Sequence, residues 1–552
     1  MLEAIGQYGR GLKAPTPYEL RVPLLKKEVE ETKAFLKTHR DCWEANGCSI
    51  MTDAWTIKEV HDGPFIFKLV SSCIDEIGEE NVVHVISDNA SANMAAANLL
   101  RAERPNIFWT PCAAHCIDLM LEDIGKFRQV KNTITKARMV TVFLYGHTIT
   151  LSMMRKFTQK KDLVRTGVTR FATAFLSLQS IMLKRNELRT MFTSKDWDEC
   201  KWSKKEVGKR IQQIVLSNKF WNGVSLTLKL FEPLVYVLRR VDGDKVPSMG
   251  YVYGDLENAK KEIALHMDND EKKYRPVWNI IDSRFNDKLK TPLHKAGYFL
   301  NPLFTMPEKM KLIVNASIMD GVLECLLKFY PNDPSKQDKI LEELPLYKTA
   351  SGSFGREIAI RQRQKPNLNP AHWWSIHGTD TPFLRIMAMK ILSLTCSSSG
   401  CERNWSTFEM IHTKKRNRLE QKRLNDLVFV KFNARLRLRQ ADRNRDPIAL
   451  NDRDEDEVSE SEWKAPTSIR ASNVTPQNEE VFPGEGLTWG QVGKATGATS
   501  QARRNARRKA TTQTQRAKTR TIDDVEFESS ESEGDEETNV KVLVSFASAQ
   551  MQ

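Results

Sequence analysis

The 552-residue sequence has no run of about 18 apolar residues, the least that spans a bilayer as a helix, and its opening, Met1-Leu-Glu-Ala-Ile-Gly, lacks the basic-then-apolar character of a signal peptide. A chain that neither spans a membrane nor is secreted is therefore expected. Cysteine is sparse, nine residues scattered over the whole length. An odd, scattered set argues against a disulfide framework and for a reducing compartment, cytosol or nucleus. No internal repeat of solenoid or propeller period is visible.

The sequence has ordinary hydrophobic content (40%) and charged content (28%), and its length suffices for two or three buried cores. Its formal net charge of +14 favours a polyanionic partner, because Lys and Arg neutralise phosphates and release counterions. A solvated basic surface without a partner is the alternative.

Between Cys48 and Phe127, short apolar runs alternate with amphipathic stretches, the pattern of a parallel sheet flanked by helices. Strands are expected at Cys48 to Thr52, Val82 to Ile86 and Ile107 to Thr110. Helices are expected from Ile66 to Ile77, Ser91 to Arg101 and Ala113 to Phe127, giving βαβαβα with right-handed crossovers. From about Val130 to Tyr347 the period is helical throughout. Residues 351–369, polar and bearing Gly352 and Gly355, read as a linker. A helix with an apolar stripe of Leu384, Met387, Ala388, Ile391 and Leu392 follows. Beyond about Gln440 the chain is block-charged, acidic then basic then acidic, a composition that cannot bury enough apolar surface to order itself.

Asp53 and Asp88 each follow a predicted strand. Adjacent parallel strands end on one edge, so the two carboxylates can converge where ligands bind in α/β sheets. Clustered carboxylates repel one another as anions and suit Mg²⁺ or Mn²⁺, the ions of phosphoryl transfer. An isolated Asp after a strand is more often a helix cap or turn residue. Cys112 and His115 form a C-x-x-H pair. No second pair at finger-like spacing accompanies it, so a packed thiol beside a hydrogen-bonded imidazole is expected rather than zinc.

Several motifs occur in a characteristic order: Thr52-Asp-Ala-Trp55, Ser87-Asp-Asn-Ala-Ser91, Phe108-Trp-Thr-Pro-Cys-Ala-Ala-His115, Val168-Thr-Arg-Phe-Ala-Thr173, Pro370-Ala-His-Trp-Trp374, Ser397-Ser-Ser-Gly-Cys-Glu-Arg-Asn-Trp-Ser406 and His412-Thr-Lys-Lys-Arg-Asn-Arg-Leu419. Over roughly residues 1–437 the chain resembles hAT-superfamily transposase-like proteins of plant type. The resemblance implies an RNase H-like fold interrupted by a large helical insertion, with an Asp-Asp-Glu triad at Asp53, Asp88 and Glu402 and a C-terminal dimerisation block. The expected organisation is a truncated RNase H-like α/β region (1–129), helical insertion (130–350), linker (351–369), dimerisation region (370–437) and disordered charged tail (438–552). The family's N-terminal BED-type zinc finger is expected to be missing.

In an RNase H-like domain two antiparallel strands follow the first Asp. Two strands of about five residues each, with their turns, need roughly 15 to 20 residues. Only Thr56 to Pro64 lies between the first motif and the next helix. The first strand is thus expected as an unpaired edge, with catalysis impaired or absent.

Arg170, Lys414, Lys415, Arg416 and Arg418 are candidate phosphate contacts, and Arg503, Arg504, Arg507, Arg508 and Lys509 resemble a nuclear-localisation patch, although such runs are often only solvated. Trp373, Trp374, Leu384, Ile391, Trp405 and Phe408 are candidates for either core packing or dimer contact. Two functional readings follow: a non-catalytic, transposase-derived nuclear protein that pairs with itself or with related hAT-like proteins and binds DNA; or an active transposase using Mg²⁺ or Mn²⁺ at Asp53, Asp88 and Glu402. A decayed remnant that does not fold stably is the bland third.

Overall fold

The computed structural model describes residues 16–52, 62–164, 171–243, 246–305, 315–365, 368–412, 419–441 and 543–545. Chain contacts divide the protein into one unit of Met1–Leu450 with Val540–Gln552 and a second of Asn451–Asn539, and every described residue belongs to the first.

Helix α1 (Leu25–Asn46) leads into β1 (Cys48–Met51) through Gly47, whose φ of 71° places a hydrogen where a Cβ would lie 2.4 Å from the Val83 side chain. Then follow α2 (Gly63–Ile77), β2 (Val82–Ser87), α3 (Ser91–Glu103), β3 (Phe108–Pro111) and α4 (Ala113–Gly125), the expected βαβαβα order. β1 pairs parallel with β2, and β2 with β3. Asp62 caps α2, its carboxylate accepting from the Phe65 N–H at 3.0 Å. The Ala-rich face of α3 lets α2 approach so closely that a Cβ on Gly63 would meet Ala95 at 2.5 Å.

The two faces of the sheet bury separate sets. Ile50 and Val85 pack with Ile66, Val70 and Ile74 of α2 and with Ala96, Ala97 and Leu100 of α3. Met51, Ile86 and Phe108 face the main core. That core takes in Ile117 and Leu121 of α4, the second half of α6 (Asn218–Val241), α7 (Pro292–Leu300), α8 (Pro370–His377) and α9 (Pro382–Leu392). A further core lies within residues 137–224, where α5 (Arg128–Tyr145) meets Met191, Phe192, Trp197 and the first half of α6. Helix α6 therefore belongs to both cores. The expected helical insertion (130–350) and the α/β region share the main core, because Phe231, Leu234 and Leu238 of α6 cluster with Ile117 and Leu121 of α4.

Residues 351–369, expected as a linker, hold a 3-10 turn at Gly352–Gly355 and a helix at Glu357–Arg363. The segment is pinned because Phe354 is fully buried and stacks on Trp373, with ring centroids 5.7 Å apart. Arg363, almost wholly buried, donates to the Phe354 carbonyl at 3.0 Å and lies 5.0 Å from the Trp373 ring centroid.

The chain continues through α10 (Ser399–Ile411) and α11 (Gln421–Ala441), and α11 packs against α1. A short strand, β4 (Leu543–Ser545), pairs antiparallel with β1: Ser49 with Ser545, Ile50 with Val544, Met51 with Leu543. The strand order is β3-β2-β1-β4. This corrects two expectations. β1 is not a bare edge, and the charged tail supplies the strand that covers it. The physical reason is the one that makes bare edges rare: the unpaired N–H and C=O groups of β1 take an extended segment that can reach them, and Leu543-Val-Ser545 offers apolar and β-branched character beyond the charged blocks of the tail. Among the described residues, no helix is long and apolar enough to cross a membrane.

Candidate functional site

β1 and β2 run parallel with Met51 beside Ile86, so both end on the same edge of the sheet. Thr52 continues the alignment, its N–H donating to the Ile86 carbonyl at 2.8 Å. Asp53 lies outside the described residues. Asp88 stands immediately after β2, partly buried. Its Oδ1 accepts from the Ala90 N–H at 2.9 Å and from Asn93 Nδ2 at 2.6 Å. One carboxylate oxygen thus holds the turn that opens α3, a structural duty. Ser87, fully buried, accepts from Trp109 Nε1 at 2.8 Å and donates to the Asp88 carbonyl at 2.9 Å, which fixes the edge from behind.

The C-terminal block reaches this edge through the Cys112 turn. The Cys112 N–H donates to the Ser87 carbonyl at 2.7 Å and the Ala113 N–H to the Cys396 carbonyl at 2.8 Å. Cys112 Sγ accepts from the His115 N–H at 3.5 Å, capping α4, and from the Ser398 N–H at 3.2 Å. The C-x-x-H pair is accounted for by a cap and a bolt between segments; His115 itself is half-buried. Burial pushes the neighbouring Cys116 and Cys396 thiols up to about 12, so both stand as neutral thiols rather than as thiolate ligands or nucleophiles.

The serine run that opens α10 centres on a residue the sequence reading passed over. Asp242, buried at the end of α6, accepts at Oδ1 from Ser397 Oγ (3.1 Å) and Ser399 Oγ (2.7 Å). Ser248 accepts from the Cys396 N–H and from its thiol, each at 3.1 Å. Three sequence-distant segments are locked where α10 starts. Glu402 and Trp405 stand on α10, with side chains outside the described residues, so the backbone brings the Glu402-bearing helix to the edge that holds Asp88 without defining a triad. Among the described residues, no group of three or more His, Cys, Asp and Glu side chains is placed to hold a metal ion.

Two buried histidines, also passed over, lie beneath this edge. His84 of β2 shares a 3.2 Å hydrogen bond at Nδ1 with Ser49 Oγ; His294 of α7 shares one of 2.7 Å at Nδ1 with Thr291 Oγ1. Burial lowers His84 to about 3, with His294 adding to the effect, and burial lowers His294 to about 4. Both are neutral near pH 7. A single histidine within an apolar strand and another within an apolar helix carry no sequence signal of their own.

The dimer-contact candidates divide. Trp373, Trp374, Leu384 and Ile391 are buried in the main core. Trp373 Nε1 donates to the Ala359 carbonyl at 3.2 Å and Trp374 Nε1 to the Leu300 carbonyl at 2.8 Å. These four side chains hold the chain together internally, which fits the packing alternative. Phe408 is half-buried, with its ring 5.5 Å from that of His412. Arg170, Lys414, Lys415, Arg416 and Arg418 lie outside the described residues, as do the tail arginines.

Residues 15–59 and 57–140 match the model of a domain of unknown function (DUF659), and residues 352–434 match the hAT family C-terminal dimerisation region. The second match begins at the buried 3-10 turn rather than at Pro370, in keeping with the packed state of the segment between them. No curated protein matches the chain. The dimerisation-region match supports self-association, and the two matches together support a hAT-superfamily transposase-like chain.

Proposed function

We propose that this chain is a transposase-derived nuclear protein, of the plant type its motifs resemble, that works as a dimer, binds DNA through phosphate contacts and no longer cuts it. The observation that carries the non-catalytic part is the antiparallel neighbour of β1. In an RNase H-like sheet that place belongs to the hairpin following the first acidic residue; here the tail strand β4 fills it, and the stretch from Thr56 to Pro64 is too short for the hairpin. Asp88 supports the same reading, since its Oδ1 serves the α3 turn. The net charge of +14 supports a polyanionic partner.

One observation favours the active alternative: β1, β2 and the start of α10 meet at one edge, the arrangement that metal-dependent cleavage needs from Asp53, Asp88 and Glu402. Purified full-length protein incubated with supercoiled plasmid and Mn²⁺ distinguishes the two. The proposal expects no nicking above that of Asp88→Asn; nicking that disappears in that variant overturns the non-catalytic reading. Because the dimerisation region shares the main core, deletion of the block would open that core. Self-association is instead tested on the intact chain by light scattering across protein concentration, where a monomer at every concentration would sink the dimer.

A further inference from the structure

The main-core tryptophans of the dimerisation region are buried, so the surface that meets a second copy has to lie elsewhere. The N-terminal helix offers one. It begins with a complete capping box: Thr16 Oγ1 accepts from the Glu19 N–H at 3.2 Å, and Glu19 Oε2 accepts from the Thr16 N–H at 2.6 Å. An α turn (Pro17–Glu19) and a π turn (Leu20–Leu24) then run into α1, and no residue in either turn is buried. Tyr18 is 70% exposed, Leu20 54%, Val22 42% and Leu24 40%. Half of the eight-residue helical extension is therefore large and apolar, and none of those side chains is buried among the described residues. Short helices are marginal in water without a packed face, and Pro23 within the extension removes one backbone donor.

Two features indicate what covers it. First, the extension is continuous with α1, and α1 packs against α11, the helix in which the dimerisation-region match ends. At that junction the Arg437 guanidinium lies 4.0 Å from the Phe35 ring centroid, and Leu438 beside it is 70% exposed. Helical spacing puts Leu20, Leu24, Lys27, Glu31 and Phe35 along one side, so a line with apolar ends and a charged middle runs from the extension to the dimerisation region. Second, the charges between its apolar ends are self-complementary. Lys27 and Glu31 form an exposed pair at 3.7 Å within one chain. Two such helices related by a two-fold axis and laid antiparallel bring Lys27 of each copy to Glu31 of the other, the self-matching that an isologous interface requires.

We infer that the helix from Pro17 to Phe35 docks against its counterpart in a second copy of this chain, extending the dimer contact of the C-terminal region with Leu20 and Leu24 as its apolar anchors. This rests on the reading of the chain as a dimer.

The test is sedimentation equilibrium on full-length wild type, Leu20→Asp/Leu24→Asp, Lys27→Glu, and Lys27→Glu/Glu31→Lys, with urea unfolding alongside. The double Asp variant is expected to weaken dimerisation by a factor of about 100 or more, since each buried Leu supplies a factor of roughly ten or above. Its unfolding midpoint at concentrations where both proteins are monomeric stays that of wild type, because residues 17–24 touch no core. Lys27→Glu weakens the dimer by several-fold and the charge-swapped double restores it. A wild-type dimer whose dissociation constant is unchanged by Leu20→Asp/Leu24→Asp overturns the inference while leaving the dimer standing. So does a variant that stays dimeric but loses binding to phosphatidylserine vesicles, which would give the helix a lipid surface as its partner. A wild type that is monomeric throughout overturns the dimer reading itself.

Discussion

Replacing Trp374 by Ala separates internal packing from dimer contact at the most informative position of the C-terminal region. The indole is fully buried, lies 4.7 Å from the Tyr347 ring and 5.2 Å from the Phe354 ring between centroids, and donates to the Leu300 carbonyl at 2.8 Å. Removing a buried Trp costs about 3–5 kcal/mol through lost transfer energy and the cavity left behind. The Leu300 carbonyl then loses its donor inside the core, at a further cost of roughly 1–3 kcal/mol. A loss of about 4 kcal/mol or more is expected, a large part of the 5–15 kcal/mol typical of a folded domain. Trp374→Phe keeps most of the apolar bulk and drops only the donor and part of the ring, so about 1–3 kcal/mol is expected for it. Urea unfolding followed by tryptophan fluorescence and circular dichroism, run at two protein concentrations tenfold apart, measures both. The midpoint shift from wild type should be the same at each concentration. An unchanged midpoint in Trp374→Ala together with a weakened dimer would refute the packing assignment and return Trp374 to the interface.

Asp242→Ala should destabilise the chain by about 2–4 kcal/mol, because the Ser397 and Ser399 hydroxyls that it accepts from are left buried around an absent carboxylate; a change below about 0.5 kcal/mol in urea unfolding would remove Asp242 from the lock. Stability should also fall as the solution is acidified below pH 6.5. The folded chain keeps His84 and His294 neutral down to about 3 and 4, whereas the unfolded chain protonates both near 6.5, so each contributes stability that is present above pH 6.5 and lost at about 1.4 kcal/mol per pH unit below it. Asp255 acts in the opposite sense: burial raises its carboxyl to about 6, so the folded chain takes up that proton first and recovers stability between about pH 6 and 4. The net slope from these three groups over that window is that of one histidine, and His84→Asn should flatten it; an unaltered slope in that variant would refute the burial of a neutral His84.

Local periodicity was enough to place the small sheet and its helices. The apolar runs around Ile50, Val85 and Phe108 and the stripe from Leu384 to Leu392 each act within a few residues of themselves, and α/β order follows from them. The expectation that the hairpin is missing rests likewise on counting the residues from Thr56 to Pro64, and residues 53–61 lie outside the described residues. Where the sequence reading erred, the deciding contacts join residues far apart in the chain. Polar composition marked residues 351–369 as a linker, but Phe354 and Arg363 find Trp373 and become core. Charge marked the tail as unable to order itself, but three of its residues meet the free hydrogen-bonding groups of β1. The Ser397–Ser399 run was visible as a motif, whereas its acceptor, Asp242, lies 155 residues away from Ser397 and carries no signature of its own. Motif and period are properties of neighbours in sequence and so survive in the sequence alone. Which buried hydroxyl meets which carboxylate, and whether an indole faces the core or a second copy, is set by the cost of leaving polar groups unpaired and apolar area wet, and that cost is settled only once the whole chain has packed.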